Sequence, residues 1–323
     1  MRMPASTAML LHLACQVKLT LPASAFFPVQ MFREAAVLSR LNHPCVVRFW
    51  GVVPVEELKP QQDIPQRSFA RFSHSPGDSA SSLDSRAQVG SRSRSKLSLG
   101  LVLDRCDGSL EDVLQHEPLL PLLEALHIAE RIACGLKYLH SEAPLRVAHG
   151  DLKPANVLLK HGTELVQLTD FGLSSILAVH TMSMGVQNLQ VAGVAAGQSG
   201  WSLHWAAPEL LAGYENGDET DPTCACDVYA FGLVLYQLLV GKMPYAGMFM
   251  SPKALKSGVM GGARPSLDGL EGVRGGEATP DVLSKMQALV EACWAHEARE
   301  RPTAQQVQKQ LVELQHEPAI CQR

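Results

Sequence analysis

The stretch HGDLKPANVLL at residues 149–159 sets an aspartate, a lysine two positions on and an asparagine five positions on within one short segment. Downstream, LTDFGLS at 168–174 supplies a second aspartate, Asp170. Asp151 can orient a hydroxyl and accept its proton. Lys153 can neutralise a terminal phosphate. Asn156 and Asp170 offer the hard oxygen donors that Mg2+ favours and shares with phosphates. Phosphoryl transfer needs positioning and charge neutralisation more than covalent chemistry, and these residue types supply both. Singly each is weak, since a lone Asp-Leu-Lys or Asp-Phe-Gly is most often a turn. In this order, and followed by WAAPEL at 205–210, they point to moving the γ-phosphate of ATP to a hydroxyl.

The elements that must hold these residues divide the chain. Residues 10–19 alternate loosely and predict a strand. In VQMFREAAVLSRL (29–41), Phe32, Ala35, Ala36 and Leu38 lie near a helical stripe, with Arg33, Glu34 and Arg40 off it. Asn42-His43-Pro44 is the expected stop. CVVRFWGVV (45–53) and LSLGLVLDRC (97–106) read as strands. Between them, residues 56–98 turn rich in Ser, Arg, Gln and Pro, ending in SRSRSK; the stretch cannot bury enough to order itself, which predicts a disordered insertion. It is either a solvated loop or a phosphorylated or partner-binding one. After residue 104 the pattern is mostly helical, at 123–140, 206–212, 227–240, 281–294 and 304–314. Residues 173–204 lack periodicity and predict a flexible loop. There is no internal repeat.

With 323 residues, 46% of them apolar, the chain can bury a large core. A net charge of −4 gives no basic field for nucleic acid. The run VYAFGLVLYQLLV (228–240) is apolar all round but falls well short of the ~20 residues a bilayer requires, so it predicts a buried helix. The amino terminus weakly mimics a signal peptide, with His12 interrupting its apolar stretch. Eight scattered cysteines fit a reducing compartment, and a cytoplasmic location is expected. Cys224 and Cys226 form CxC without a second pair at zinc spacing; packing near a helix start is the plainer reading, metal binding the other.

The chain resembles the eukaryotic protein kinases, within the tyrosine kinase-like group of Ser/Thr kinases, from about residue 10 to 316. The resemblance implies an α+β, bilobal fold. Residues 1–103 would form an incomplete, strand-rich amino-terminal lobe carrying the insertion, 104–316 a helical carboxy-terminal lobe, and 317–323 a tail. It implies ATP and Mg2+, a protein substrate with a Ser or Thr acceptor, no nucleic acid and no membrane span. Asp151 would be the catalytic base, with Lys153 on the phosphates and Asn156 and Asp170 on the metal. Lys two positions after that base is the Ser/Thr pattern, and Ser202 falls where the family keeps a Ser or Thr near it. Glu34 would orient the ATP lysine, for which Lys18, sixteen positions earlier, is the best match; an exposed lysine at a strand end is the alternative. Leu103 would be the gatekeeper, Asp104, Arg105 and Cys106 the hinge whose backbone reads adenine, and Leu158 the floor beneath it. Leu38, Phe49, His149 and Phe171 would stack as an apolar column. Asp227 and Gly232 match the helix that anchors the catalytic loop, and Glu209 and Arg301 would form a buried structural ion pair.

The pattern also has departures. No glycine precedes Gly51, so the G-x-G-x-x-G loop expected upstream of Lys18 is missing; a truncated or misassigned start is one explanation, a non-catalytic binding module or pseudokinase the other. Gln16 stands where the family has a small residue against adenine. Gly150 stands where many members have an arginine that gathers a phosphorylated residue. Phosphorylation at Thr181, Ser183 or Ser199 is therefore not expected to be the main switch. A further possibility is that the chain is the tail of a larger receptor or multidomain kinase.

Overall fold

The structure, a computed structural model, describes residues 15–19, 27–56, 97–179, 202–216, 220–274 and 276–321. Three antiparallel strands open it: β1 (Cys15–Leu19), β2 (Phe49–Glu56) and β3 (Leu97–Asp104), in the order β1-β3-β2. Apolar and β-branched residues fill the central strand β3, where Leu101 and Leu103 are fully buried. Glu56 pairs with Leu97, so residues 57–96 join two neighbouring strands; the expected disorder of the insertion falls almost wholly outside the described residues.

Helix α1 (Phe27–Leu38) sits between β1 and β2 in sequence. Its buried face differs from the expected stripe. Met31, Arg33, Glu34, Val37 and Leu38 point inward while Phe32 is 57% exposed. The helix stops at Leu38, ahead of Asn42-His43-Pro44. Residues 45–47, expected as strand, instead clip onto Leu168 through an isolated parallel bridge. Leu168 N–H donates to the Cys45 carbonyl and Val47 N–H to the Leu168 carbonyl, each at 2.9 Å.

The remainder is mainly helical, with two small sheets along its upper edge: β4 (Gly108–Ser109), β6 (Val157–Lys160) and β7 (Leu165–Leu168) in the order β4-β6-β7, and a ribbon of β5 (Leu145–Ala148) with β8 (Ser175–Val179). That ribbon corrects the reading of 173–204 as loop at residues 175–179; residues 180–201, with Thr181, Ser183 and Ser199, lie outside the described residues. Helix α2 (Leu110–His116) is started by a capping box, Ser109 accepting from Asp112 N–H and the Asp112 carboxylate accepting from Ser109 N–H. Helices α3 (Leu122–Lys137), α4 (Pro208–Asn216), α5 (Cys224–Val240), α6 (Pro252–Met260), α7 (Leu270–Arg274), α8 (Pro280–Cys293), α9 (Ala304–Gln315) and α10 (Pro318–Cys321) follow. α3 runs into a π-helical turn over Tyr138–Glu142.

α5 is the axis of this part. It is buried on nearly every side, packs against α3 and α8, and starts at Thr223, whose side chain accepts from Cys226 N–H. Cys224 and Cys226 thus belong to a helix start, and among the described residues no His, Cys, Asp and Glu group is arranged to hold a metal. No described helix is long and apolar enough to cross a membrane. The architecture is the α+β one expected, a few strands ahead of a helical mass.

Candidate active site

β5 leads straight into the catalytic-type loop. His149 is fully buried, and its N–H and that of Gly150 donate to the two oxygens of Asp227 on α5 at 2.8 and 2.9 Å. The same carboxylate, 1% exposed, takes the His140 Nε2 proton at 2.7 Å. A buried carboxylate is stable only with such partners, so Asp227 fixes the loop's entry. His149 Nε2 lies 2.9 Å from the Thr169 carbonyl, which makes that nitrogen the donor and leaves Nδ1 to accept from Asp151 N–H at 3.3 Å. The Phe171 ring tilts against His149 at 5.0 Å.

Beyond Gly150 the loop gathers its polar groups. Lys153 Nζ is 2.7 Å from Asp151 Oδ2. The Pro154–Asn156 3-10 turn brings Asn156 Nδ2 to the Asp151 carbonyl at 2.8 Å and to Oδ2 at 3.0 Å. With its amide hydrogens spent there, Asn156 keeps Oδ1 as its remaining acceptor. Thr169 N–H donates to the Asn156 carbonyl at 3.1 Å, which seats Asp170 beside it. Asp170 has φ 67°, a left-handed conformation that begins the Phe171–Leu173 turn. Asn156 and Asp170 together offer a carboxylate and an amide oxygen, a hard donor set suited to Mg2+.

Gly150 answers for one departure in the motif. Its φ is +80°, and a Cβ there would stand 2.7 Å from the Leu173 carbonyl oxygen and 2.8 Å from Pro222 Cγ. Only glycine fits without displacing backbone.

The nucleotide edge is less fully drawn. Leu103 is 1% exposed near the end of β3, and Leu158 on β6 packs half-buried against the core. Asp104 N–H donates to the Arg48 carbonyl at 2.9 Å, and its carboxylate takes the Trp50 indole proton at 2.6 Å. Cys106 Sγ reaches Gln167 Oε1 at 3.5 Å, and burial pushes its thiol up to about 11. Glu34 is 3% exposed on α1, which packs against the Phe171–Leu173 turn. Lys18 lies on β1 opposite Leu101.

A second polar cluster is structural. Arg301 Nη1 and Nη2 grip Glu209 Oε1 and Oε2 at 2.6 and 2.8 Å, and the guanidinium also donates to the Ala225, Ala295 and His296 carbonyls. Burial raises the Glu209 carboxyl and the Arg301 bonds outweigh it, leaving the group below its ordinary value. Two groups that matter here went unremarked in the sequence, and a third was expected off the buried stripe. The two are His140, the third partner of Asp227 and 87 positions away from it, and the fully buried Arg274; the third is Arg33, turned inward beside Glu34. None stands in a spacing pattern that periodicity could flag.

The sequence description of the protein kinase domain family matches residues 23–312. This chain belongs to that family. The kinase domain is 31% identical over 209 residues to the Ankyrin repeat and protein kinase domain-containing protein 1 of Mus musculus, covering 64% of the chain and 25% of that relative. It is 32% identical over 201 residues to the human Receptor-interacting serine/threonine-protein kinase 3, covering 62% and 35%. With the human Mitogen-activated protein kinase kinase kinase 7 the identity is 26% over 219 residues, covering 66% and 31%. The chain therefore spans about a third or less of the length of these relatives. β1 and Lys18 precede the first matched residue.

Proposed function

We propose that this chain is an ATP- and Mg2+-dependent protein kinase that phosphorylates Ser or Thr hydroxyls of protein substrates. The observation that carries the reading is the convergence of Lys153 Nζ and Asn156 Nδ2 on one oxygen of Asp151, with Asp170 seated alongside through the Thr169–Asn156 backbone bond. Asp151 orients the acceptor hydroxyl and takes its proton. Lys153 bridges from Asp151 to the γ-phosphate and offsets its charge. Asn156 Oδ1 and the Asp170 carboxylate hold Mg2+, which supplies charge neutralisation at the phosphates. The 104–106 backbone reads adenine, with Asp104 and Cys106 fixed by their own hydrogen bonds, between the apolar surfaces of Leu103 and Leu158. Glu34 and Lys18 form the pair on the inner phosphates. Ser/Thr acceptors are favoured by Lys153 at its position after the base, and by the name of one relative, a serine/threonine-protein kinase. A reducing, cytoplasmic setting suits the six cysteines whose side chains are described, all of them free.

A second reading, a kinase-fold binding module without turnover, is favoured by one observation: the family match begins at residue 23 and leaves β1 and Lys18 outside it. Asp151→Asn decides between them. With Mg2+ and labelled ATP on a generic protein substrate, the variant is expected to lose at least ~100-fold in transfer rate, while its thermal melting stays that of the unaltered chain. Absence of transfer from both proteins, alongside intact folding, would overturn the kinase reading in favour of the module.

A further inference from the structure

Cys45 and Cys134 stand 89 positions apart in sequence and meet in space. Cys45 closes the turn after α1 and is fully buried; Cys134 lies on α3 and is part-exposed. Their side chains interact with each other. Arg131, one turn before Cys134 on the same helix face, donates from Nη2 to Cys45 Sγ at 3.0 Å. The backbones are just as close, since a Cβ at Gly135 would lie 3.1 Å from the Cys45 carbonyl oxygen. Nothing in the phosphoryl-transfer site uses either thiol.

The two sulfurs are unequal in a way that suits exchange chemistry. The interaction with Cys45 draws the Cys134 thiol below its ordinary value, with the Arg131 and Lys137 charges adding to the effect against burial. Cys45, the other member of that pair and cut off from water, is held well above its ordinary value. An accessible thiolate beside a protected thiol is the pairing of an attacking and a resolving cysteine.

We propose that Cys45 and Cys134 form a peroxide-responsive thiol–disulfide site that staples the turn after α1 to α3. The Cys134 thiolate attacks one oxygen of hydrogen peroxide; the O–O bond breaks, hydroxide leaves, and Cys134 becomes a sulfenic acid. The Cys45 sulfur then attacks the Cys134 sulfur and the S–OH bond breaks. The Cys45 proton leaves with that hydroxyl as water. Peroxide is reduced and the two thiols are oxidised; a dithiol reverses the step by exchange. The turn that becomes fixed carries the chain from α1, with Glu34, onto β7 through the Leu168 hydrogen bonds. The chemistry is independent of whether the domain transfers phosphate.

The test uses the full chain, treated with hydrogen peroxide, blocked with N-ethylmaleimide and digested without reductant. The expected product is a peptide pair joined through Cys45 and Cys134, lighter than its components by the two hydrogens lost and released by dithiothreitol. Cys45→Ser, which keeps an acceptor for Arg131, should accumulate sulfenic and sulfinic acid at Cys134. Cys134→Ser should leave Cys45 unmodified. Should Cys134 of the unaltered chain go to sulfinic acid while Cys45 remains a free thiol, or should Cys45 pair only with other cysteines, the proposal fails. That map alone decides the matter if a variant does not fold.

Discussion

At the scale of single residues, Asp151, Lys153 and Asn156 were legible because they sit within one motif, where local hydrogen bonds are enough to bring them together; Asp170 comes from a second motif, brought alongside by the Thr169–Asn156 backbone bond. Gly150 was legible only as a departure. The structure supplies its reason, a φ of +80° and a Cβ position blocked by the Leu173 carbonyl and Pro222. An arginine cannot be restored there by substitution alone. Gly150→Arg and Gly150→Ala are each expected to lower stability by at least roughly 1–3 kcal/mol, from backbone strain plus overlap, with no phosphate-dependent gain in activity. Urea denaturation of the two variants checks this; an Arg variant as stable as the parent would refute the steric account.

At the scale of elements, strong periodicity carried the long helices. α3, α8 and α9 fall close to where apolar spacing put them, because each buries an apolar stripe against another helix, and α5 because it is apolar and buried on nearly every side. α1 shows where that logic fails. Arg33 and Glu34 are buried and Phe32 is not, since partners elsewhere in the fold, not hydropathy, decide which side faces in. The short helix α2 escaped notice although Ser109 and Asp112 stand at capping-box spacing, a signal that was available. β8 escaped because a five-residue strand in a Gly- and Ser-rich stretch is recognisable only by its partner β5. The junction of β5, α5 and the π-helical turn makes a pH prediction. Burial lowers His140, but its bonds to Asp227 and Cys224 prevail and raise it to about 9 from an ordinary 6.5. Its stabilising contribution is therefore complete below the ordinary value and is lost as pH rises through about 9. The loss should be on the order of 3 kcal/mol. His140→Gln should flatten the stability profile over that interval relative to the parent; parallel profiles for the two proteins would refute it.

For the whole molecule, the Glu209–Arg301 pair ties the start of α4 to the loop before α9 and to the first turn of α5 through Ala225. Arg301→Ala would strand the Glu209 carboxylate and three carbonyls, and is expected to cost about 3–5 kcal/mol. Chemical denaturation reads it directly, and a loss below ~1 kcal/mol would mean water replaces the guanidinium freely. Because the Glu209 carboxyl is held below its ordinary value, its share of that stability is present above the ordinary carboxylate range and disappears as pH falls through the folded value. The sequence made this pair visible only through resemblance, as its members are 92 positions apart. Arg274 had no such help. It sits fully buried with Nε and Nη2 on the Leu239 and Leu238 carbonyls at the end of α5, and Nη1 on the Leu120 carbonyl just ahead of α3. One side chain thereby closes off the carboxy end of the central helix and joins it to the head of α3, on a part of the sequence that no chemical motif marks. In a living cell, a coding change at that codon would lower the amount of folded protein that survives quality control, while the catalytic-type loop of each surviving molecule stayed as it is.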